Sequence, residues 1–231
     1  MIGFLLRTLT ACLLLGWAGT VHASPPPASA LNPYPAERLL PFWRQYTARH
    51  EDGEALFMPA YRLDPAPADA DAASSFWLEA SDGRLLALGV DDDGYLVLPP
   101  QARAPGLVTR GARLLHDGEA PLPAIRLEIR LQLEPARHYA LADLSSAVAQ
   151  VDSFQRHAMG LAALMAPRFD VVVFRFDGPA PDGWHVTARG ERRELAALHD
   201  TLYLRMTPRT ARAGGEIILE APPRRIVVET R

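Results

Sequence analysis

One long amphipathic helix between two groups of short strand-like segments constrains the fold more than any other feature of this sequence. Over residues 143–166 the apolar side chains recur every three or four positions and form one stripe, at Leu144, Val148, Val151, Ala158, Leu161 and Met165. Asp143 is a suitable N-cap, and Pro167 blocks continuation of the helix. A parallel sheet needs a helix at nearly every crossover. The pattern therefore predicts an α+β fold with mostly antiparallel sheet and this helix packed on one face.

The strand-like segments are separated by residues that favour tight turns. They cover about 76–80, 84–90, 95–98 and 125–133 before the helix, and 170–176, 184–188, 201–206, 216–220 and 226–230 after it. Asp82-Gly83 and Asp93-Gly94 separate the first three segments, which is typical of β-hairpins because glycine tolerates positive φ. Apolar and polar residues alternate strictly over 125–133, so we expect a strand with one buried and one wet face.

The first 23 residues have the pattern of a secretory signal peptide. Arg7 precedes an apolar run of about 13 residues, which is shorter than the roughly 20 residues that span a bilayer. Val21-His22-Ala23 is the small-x-small pattern that signal peptidase reads, so we expect cleavage after Ala23. The alternative is lipidation of Cys12, although the apolar run continues beyond that residue. We expect a periplasmic or secreted protein with no stable membrane span after signal removal.

The remaining chain reads as a linker followed by one domain. Residues 24–35 are rich in proline and predict an extended, poorly ordered linker. Residues 36–231 form the expected single α+β domain, with a possible division into a β-rich half and a helix-plus-strands half at 76–135 and 136–231. A short amphipathic helix is predicted over 36–49, with three aromatic residues on its buried face, namely Phe42, Trp43 and Tyr46.

Composition excludes several classes of function. All 24 basic residues are arginine, they face 27 acidic residues, and no basic stripe is visible, which argues against a nucleic-acid binder. The only cysteine is Cys12 in the predicted signal, so the exported chain would have no thiol for a disulfide, a metal or catalysis. The absence of lysine excludes Schiff-base and Ser-Lys catalysis. No phosphate-binding loop or dinucleotide fingerprint occurs, and no cofactor is expected.

No set of residues identifies a reaction, so no catalytic, cofactor-binding or metal-binding residue is assigned. Asp91-Asp92-Asp93 is the best metal candidate, because clustered carboxylates can surround Ca²⁺, but Asp and Gly also suit a tight turn. His157 lies beside the helix stripe and is interpreted as a boundary residue rather than a ligand. Six aromatic residues are interpreted as core, with a sugar or peptide groove as the alternative: Phe42, Trp43, Tyr46, Phe76, Trp77 and Trp184.

Five segments can be compared with other proteins by their order along the chain. They are Tyr95-Leu96-Val97-Leu98-Pro99, the helix at 143–166, the strand at 171–176, Gly215-Glu216-Ile217-Ile218-Leu219 and Pro222-Pro223. This order resembles a family of small secreted proteobacterial proteins known only as a domain of unknown function. The resemblance covers residues 36–231. It implies a secreted protein and brings no activity or functional residue with it.

Three hypotheses about function follow from export without a recognisable catalytic set. The leading hypothesis is a non-catalytic envelope protein that binds a partner protein or a small ligand. The first alternative is an envelope-directed hydrolase using Asp, Glu or His, which requires a pocket holding a carboxyl group of raised pKa. The second alternative is a calcium-stabilised adhesion or assembly module, whose melting temperature would rise with Ca²⁺. The sequence leaves the oligomeric state open.

Overall fold

The computed structural model describes residues 32–50, 55–65, 76–104, 106–109, 111–117 and 122–230. The predicted signal peptide, residues 1–23, and most of the predicted linker lie outside these residues. None of the helices in the described ranges has both the length and the apolar character that crossing a membrane requires.

The described chain alternates short strands with a few helices. The strands are β1 (Asn32–Pro35), β2 (Phe57–Asp64), β3 (Phe76–Glu79), β4 (Leu85–Val90), β5 (Leu96–Val97), β6 (Arg113–His116), β7 (Ala124–Leu131), β8 (His138–Ala140), β9 (Phe169–Arg175), β10 (Gly183–Val186), β11 (Arg192–Glu194), β12 (Ala196–Leu198), β13 (Thr201–Arg205), β14 (Glu216–Leu219) and β15 (Arg225–Thr230). The helices are α1 (Ala36–Leu39), α2 (Trp43–Arg49), α3 (Leu141–Met159) and α4 (Pro208–Ala213), with 3-10 turns at Pro100–Arg103 and Gly160–Leu164.

The strands form three sheets, and every pairing among the described strands is antiparallel. The central sheet has the order β12-β13-β9-β15-β7-β2. The hairpin sheet has the order β1-β6-β3-β4-β5, and the small sheet has the order β11-β10-β14-β8. The predicted combination of mostly antiparallel sheet with one long helix is therefore confirmed.

The central sheet has one apolar face and one charged face. On β7 the side chains alternate between the two faces, with Ile125, Leu127 and Ile129 on one and Arg126, Glu128 and Arg130 on the other. The pairing of β7 with β2 and β15 carries this alternation across the sheet. Helix α3 packs on the apolar face, where the ring centroid of Phe154 lies 5.3 Å from that of Phe57. The opposite face carries the arginine and glutamate side chains of β7, and the strand register places the buried Val173 and Val227 on it as well.

The long helix ends earlier than the apolar stripe predicts. Gly160 has φ +56°, which ends α3, and the chain continues as the 3-10 turn Gly160–Leu164. Val148 and Val151 are buried as the stripe predicts. The two stripe residues beyond the helix, Leu161 and Met165, are instead exposed. An apolar periodicity indicates a helical face, but it does not show where the surface that covers this face stops.

The N-terminal part of the domain departs from the sequence-based expectation at two places. Asn32–Pro35, the end of the predicted linker, pairs with β6 at the edge of the hairpin sheet, a position where proline is tolerated because one side of the strand needs no N–H donors. The helix expected over 36–49 is divided into α1 and α2 at Phe42, which has φ 67°. Trp43 is fully buried, and its indole Nε1 donates to the Ala102 carbonyl at 3.0 Å.

The six aromatic residues are dispersed and do not line one groove. Trp43, Tyr46 and Phe76 belong to the main hydrophobic core, and Phe42 packs against it. Trp77 forms a smaller cluster with Leu115. The half-buried Trp184 ring lies 3.7 Å from the guanidinium carbon of Arg192. Burial therefore accounts for most of this aromatic set.

Candidate functional site

The strongest candidate site is a cleft of about 270 Å³ at one end of the charged face of the central sheet. Its lining carries four arginines and three aspartates, which are Arg62, Arg175, Arg224, Arg225, Asp93, Asp177 and Asp200. Tyr95, Phe176 and Thr201 complete the lining. We refer to this site as the arginine cleft.

Neighbouring strands of the central sheet place three of these residues in one row. Arg175 is the last residue of β9, and it lies opposite Arg225 of β15 and Thr201 of β13. Residues directly opposite each other on antiparallel strands point to the same face. Arg224 precedes this row, and its backbone N–H donates to the Arg175 carbonyl at 2.8 Å. The sheet register, rather than any local sequence motif, brings these side chains together.

The turn at Asp93-Gly94, between β4 and β5 of the hairpin sheet, closes another side of the cleft. The Asp91 Oδ1 atom accepts from the backbone N–H groups of Asp93 at 3.1 Å and Tyr95 at 2.9 Å, which shapes the turn. The Gly94 carbonyl accepts from the backbone N–H of Leu63 in β2 at 2.8 Å. Tyr95 also forms an isolated antiparallel bridge with Arg62. These contacts join the hairpin sheet to the central sheet and place Tyr95 in the cleft.

Tyr95 is the centre of the polar network. Its hydroxyl donates to Glu128 Oε2 at 2.5 Å and accepts from Arg175 Nη1 at 3.0 Å. Its ring centroid lies 4.0 Å from the guanidinium carbon of Arg225 and 6.0 Å from that of Arg62, within the range of cation–π attraction. Burial, and then the Glu128 carboxylate, raise the pKa of Tyr95 above its ordinary value of 10.0. The side chain is therefore a neutral phenol that can donate at neutral pH.

Carboxylates on the charged face hold Arg175 in a fixed orientation. Its Nη1 atom lies 3.0 Å from Glu128 Oε2, and its Nη2 atom lies 3.0 Å from Glu229 Oε1. The side chains of Arg175 and Glu128 are only 25% and 14% exposed, so water screens this pair incompletely. The strict alternation that puts Glu128 on the wet face of β7 therefore supplies the central acceptor of the site.

Carboxylates of the Asp93-Gly94 turn bind the neighbouring residues Arg224 and Arg225. Arg225 Nη2 lies 2.7 Å from Asp93 Oδ2 and 3.2 Å from Asp91 Oδ2. Arg224 lies 3.0 Å from the same Asp93 oxygen, and it also binds Asp177 at 2.8 Å. Asp91 and Asp93, two of the three aspartates considered as calcium ligands, thus contact guanidinium groups. These groups occupy the space beside the carboxylates where a metal cation would have to bind.

Two buried donors in the cleft have no acceptor among the described residues. They are the Nε–H groups of Arg62 and Arg225. The Arg225 side chain is only 9% exposed. Asp91 and Asp93 bind its Nη2 atom, but they leave its Nε–H group without an acceptor. An unpaired buried donor reduces stability, more so on a charged group. Such a cost indicates that the arginine positions are not optimised for stability alone.

The other histidine and metal candidates lie elsewhere. His157 is exposed near the C-terminal end of α3, away from the cleft lining. In the parts of the chain that the structure describes, no group of three or more His, Cys, Asp or Glu residues is arranged to hold a metal ion.

A second groove of about 310 Å³ lies between α3 and α4, where Arg205 Nε is 3.7 Å from Asp170 Oδ2.

Sequence reasoning missed the arginine cleft because its residues come from separate strands. Arg62 and Arg225 are far apart in the chain, and each is one of 24 arginines. Two usable indications were present, namely Glu128 on the wet face of the predicted strand and the Arg224-Arg225 doublet before the last predicted strand. Neither indication shows that the two segments meet.

The fold and the cleft together define an α+β protein of three antiparallel sheets with an arginine-lined cleft where two of the sheets meet. No family model matches the chain, no curated protein matches it, and no solved structure matches it. The resemblance to a secreted proteobacterial family therefore stays a prediction.

Proposed function

We propose that this chain is an exported, non-catalytic envelope protein that binds a small anionic ligand in the arginine cleft. The observation that carries the proposal is the convergence of four arginines on one cleft of about 270 Å³. A guanidinium group recognises carboxylate and phosphate with two parallel N–H donors. Because carboxylates and the Tyr95 ring already orient these side chains, less side-chain entropy is lost on binding.

The arginines keep accessible surface for a ligand despite their ion pairs. The side chain of Arg224 is 42% exposed, and that of Arg175 is partly exposed. Each guanidinium has five N–H donors, and the ion pairs of Arg224 engage only two of its nitrogen atoms. Arg62 contributes a further positive charge and has no carboxylate partner among the described residues. An oxyanion in the cleft would meet several oriented donors.

The rest of the lining indicates the chemistry around the anionic group. The volume is near the lower end of small-molecule pockets, which begin at roughly 300 Å³. Phe176 and Tyr95 offer aromatic surface, while Asp177, Asp200 and Thr201 offer groups that bind hydroxyls. The lining therefore suits a small hydroxylated acid, such as an acidic sugar or a sugar phosphate.

The same contacts favour binding over hydrolysis. Glu128 is paired with Arg175, and Asp93 is paired with two arginines. Guanidinium groups occupy these carboxylate oxygens, so neither carboxylate is free to contact a substrate as a general acid or base. The Tyr95 hydroxyl is engaged by Glu128 and Arg175. These groups are arranged to position one another rather than to transfer a proton.

Export is tested by the mass of the protein recovered from the periplasmic fraction. We expect the chain to begin at Ser24, because signal peptidase reads the residues up to Ala23. A lipid-modified chain beginning at Cys12, or a full-length chain in the cytoplasmic fraction, would contradict this part of the proposal. The protein obtained in this way serves for the binding experiment.

Calorimetric titration with glucuronate, galacturonate and glucose 6-phosphate tests the ligand class, with glucose as the neutral control. We expect at least one acid to bind and glucose not to bind. Arg62→Gln should weaken that binding at least about tenfold, because a charged hydrogen bond contributes about 1.5–3 kcal/mol. Arg126→Gln is the matched control. Arg126 of β7 lies directly opposite Arg62 of β2, but its guanidinium pairs with Asp64. Binding of none of the acids, or equal binding of glucose, would refute the proposal.

A further inference from the structure

An apolar turn protrudes from the C-terminal end of α3. Residues 158–167 form a run of ten without a single charged or hydrogen-bonding side chain. Three large side chains in this run, Leu161, Leu164 and Met165, are 87%, 81% and 90% exposed. Single exposed leucines are ordinary on a protein surface, but a cluster of this kind indicates an interaction site.

A hydrogen bond joins the two ends of this turn. Gln155 Nε2, in the last part of α3, donates to the Pro167 carbonyl at 3.0 Å. Between these residues the chain leaves the α-helix at Gly160 and forms one 3-10 turn. In a 3-10 turn the side chains at i and i+3 lie above one another, so Leu161 and Leu164 point to the same side. The apolar residues therefore form a narrow projecting tip rather than a broad face.

Two arginines flank the base of this tip. Arg156 precedes the turn and Arg168 follows it, and both side chains are exposed, while Asp152 and Asp170 line the same groove as Arg168. No acidic residue occurs over 153–169. The nearest acid before it, Asp152, binds Arg156 Nη2 at 2.8 Å. Arg168 is left as the cation closest along the chain to the exposed Met165.

We propose that this turn docks the protein on an anionic phospholipid surface. Leu161, Leu164 and Met165 enter the boundary between headgroups and acyl chains, and Arg168 lies among the lipid phosphates. Apolar residues beside basic residues are the pattern of interfacial membrane binding, in which burial and attraction to anionic lipid act together. A stable protein partner requires about 800 Å² on each side, which is more than a tip of three side chains provides. This surface is separate from the arginine cleft.

Flotation of the exported protein with lipid vesicles tests the proposal. One set of vesicles is phosphatidylcholine alone, and the other contains phosphatidylglycerol as well. We expect the partition coefficient on the anionic vesicles to exceed that on the neutral vesicles by at least about tenfold, and to fall at high salt. The variant Leu161→Glu/Met165→Glu should lose binding at least about tenfold, because it places two carboxylates at the tip.

Leu198→Glu is the matched control, because Leu198 is an apolar residue of β12 that is 55% exposed. It should bind anionic vesicles like the unmodified protein, and circular dichroism checks that both variants are folded. Absence of vesicle binding, equal binding to both kinds of vesicle, or equal loss in both variants would overturn the proposal. Light scattering that shows a dimer dissociated by Leu161→Glu/Met165→Glu would assign the turn to self-association and overturn it as well.

Discussion

Replacing Gly215 with alanine is expected to lower the melting temperature by more than about 10 °C or to prevent folding. A Cβ atom at this position would overlap the Val186 carbonyl oxygen and lie 2.7 Å from the carbonyl carbon of Thr187. These atoms belong to the backbone, so no side-chain rotation relieves the overlap. Gly215 also has φ +93°, which alone costs an L-residue about 1–2 kcal/mol.

The surroundings of Gly215 leave the chain little freedom to move away. The Gly215 carbonyl accepts from the backbone N–H of Leu141 at 3.0 Å, which links the start of α3 to the start of β14. Gly214→Ala is the matched control, because its Cβ would meet only Ala188 Cβ at 3.6 Å. We expect that variant to lose about 1–3 kcal/mol, because Gly214 has φ 59° and ψ −160°, a backbone conformation that is essentially restricted to glycine. Thermal unfolding followed by circular dichroism compares the two, and equal melting temperatures would contradict the steric argument.

Replacing Arg175 with methionine is expected to lower the free energy of unfolding by about 2–3 kcal/mol and to abolish ligand binding in the cleft. The guanidinium of Arg175 joins Glu128, Glu229 and the Tyr95 hydroxyl. Without it, Glu128 stays mostly buried with Tyr95 as its remaining donor among the described residues. The expected loss of unfolding free energy is smaller than for a fully buried ion pair, because Arg175 is partly exposed and water screens its charge. Urea unfolding measures this difference.

A double-mutant cycle separates the uncompensated charge from lost packing. Adding Glu128→Gln to Arg175→Met removes the unpaired carboxylate, so the double variant should lose less stability than the two single losses predict, by about 1–2 kcal/mol. Arg193→Met is the control, because its pair with Glu191 is about half-exposed and contributes less than about 1 kcal/mol. Additive losses in the cycle would show that Arg175 and Glu128 do not act as a pair.

Local patterns predict the elements of this fold better than the limits of those elements. The period-two alternation over 125–133 and the Asp-Gly turns led to strands that the structure contains as β7 and the β3–β4 hairpin. Strand β2 had no comparable pattern, since Pro59 interrupts it and buried residues occupy both of its faces. Its place at an edge of the central sheet explains why the proline is tolerated.

The arginine cleft and the apolar turn show where prediction from sequence ends. Periodicity reports which side of a segment prefers water, and so the wet face of β7 could be assigned from Arg126 and Glu128 alone. The recurrence of apolar residues every three or four positions over 143–166 placed Leu161 and Met165 on a buried stripe, although α3 ends at Met159 and both residues are exposed. Covering an apolar residue requires a partner from elsewhere in the chain.

The sequence by itself determined the class of fold, because alternation, turn residues and the amphipathic helix are local properties that each segment expresses alone. Only the tertiary structure decided that Arg62, Tyr95, Arg175 and Arg225 meet in one cleft. The reason is physical: the pairing of distant strands depends on the free energy of the whole sheet, and one change of register would turn these side chains to the opposite face.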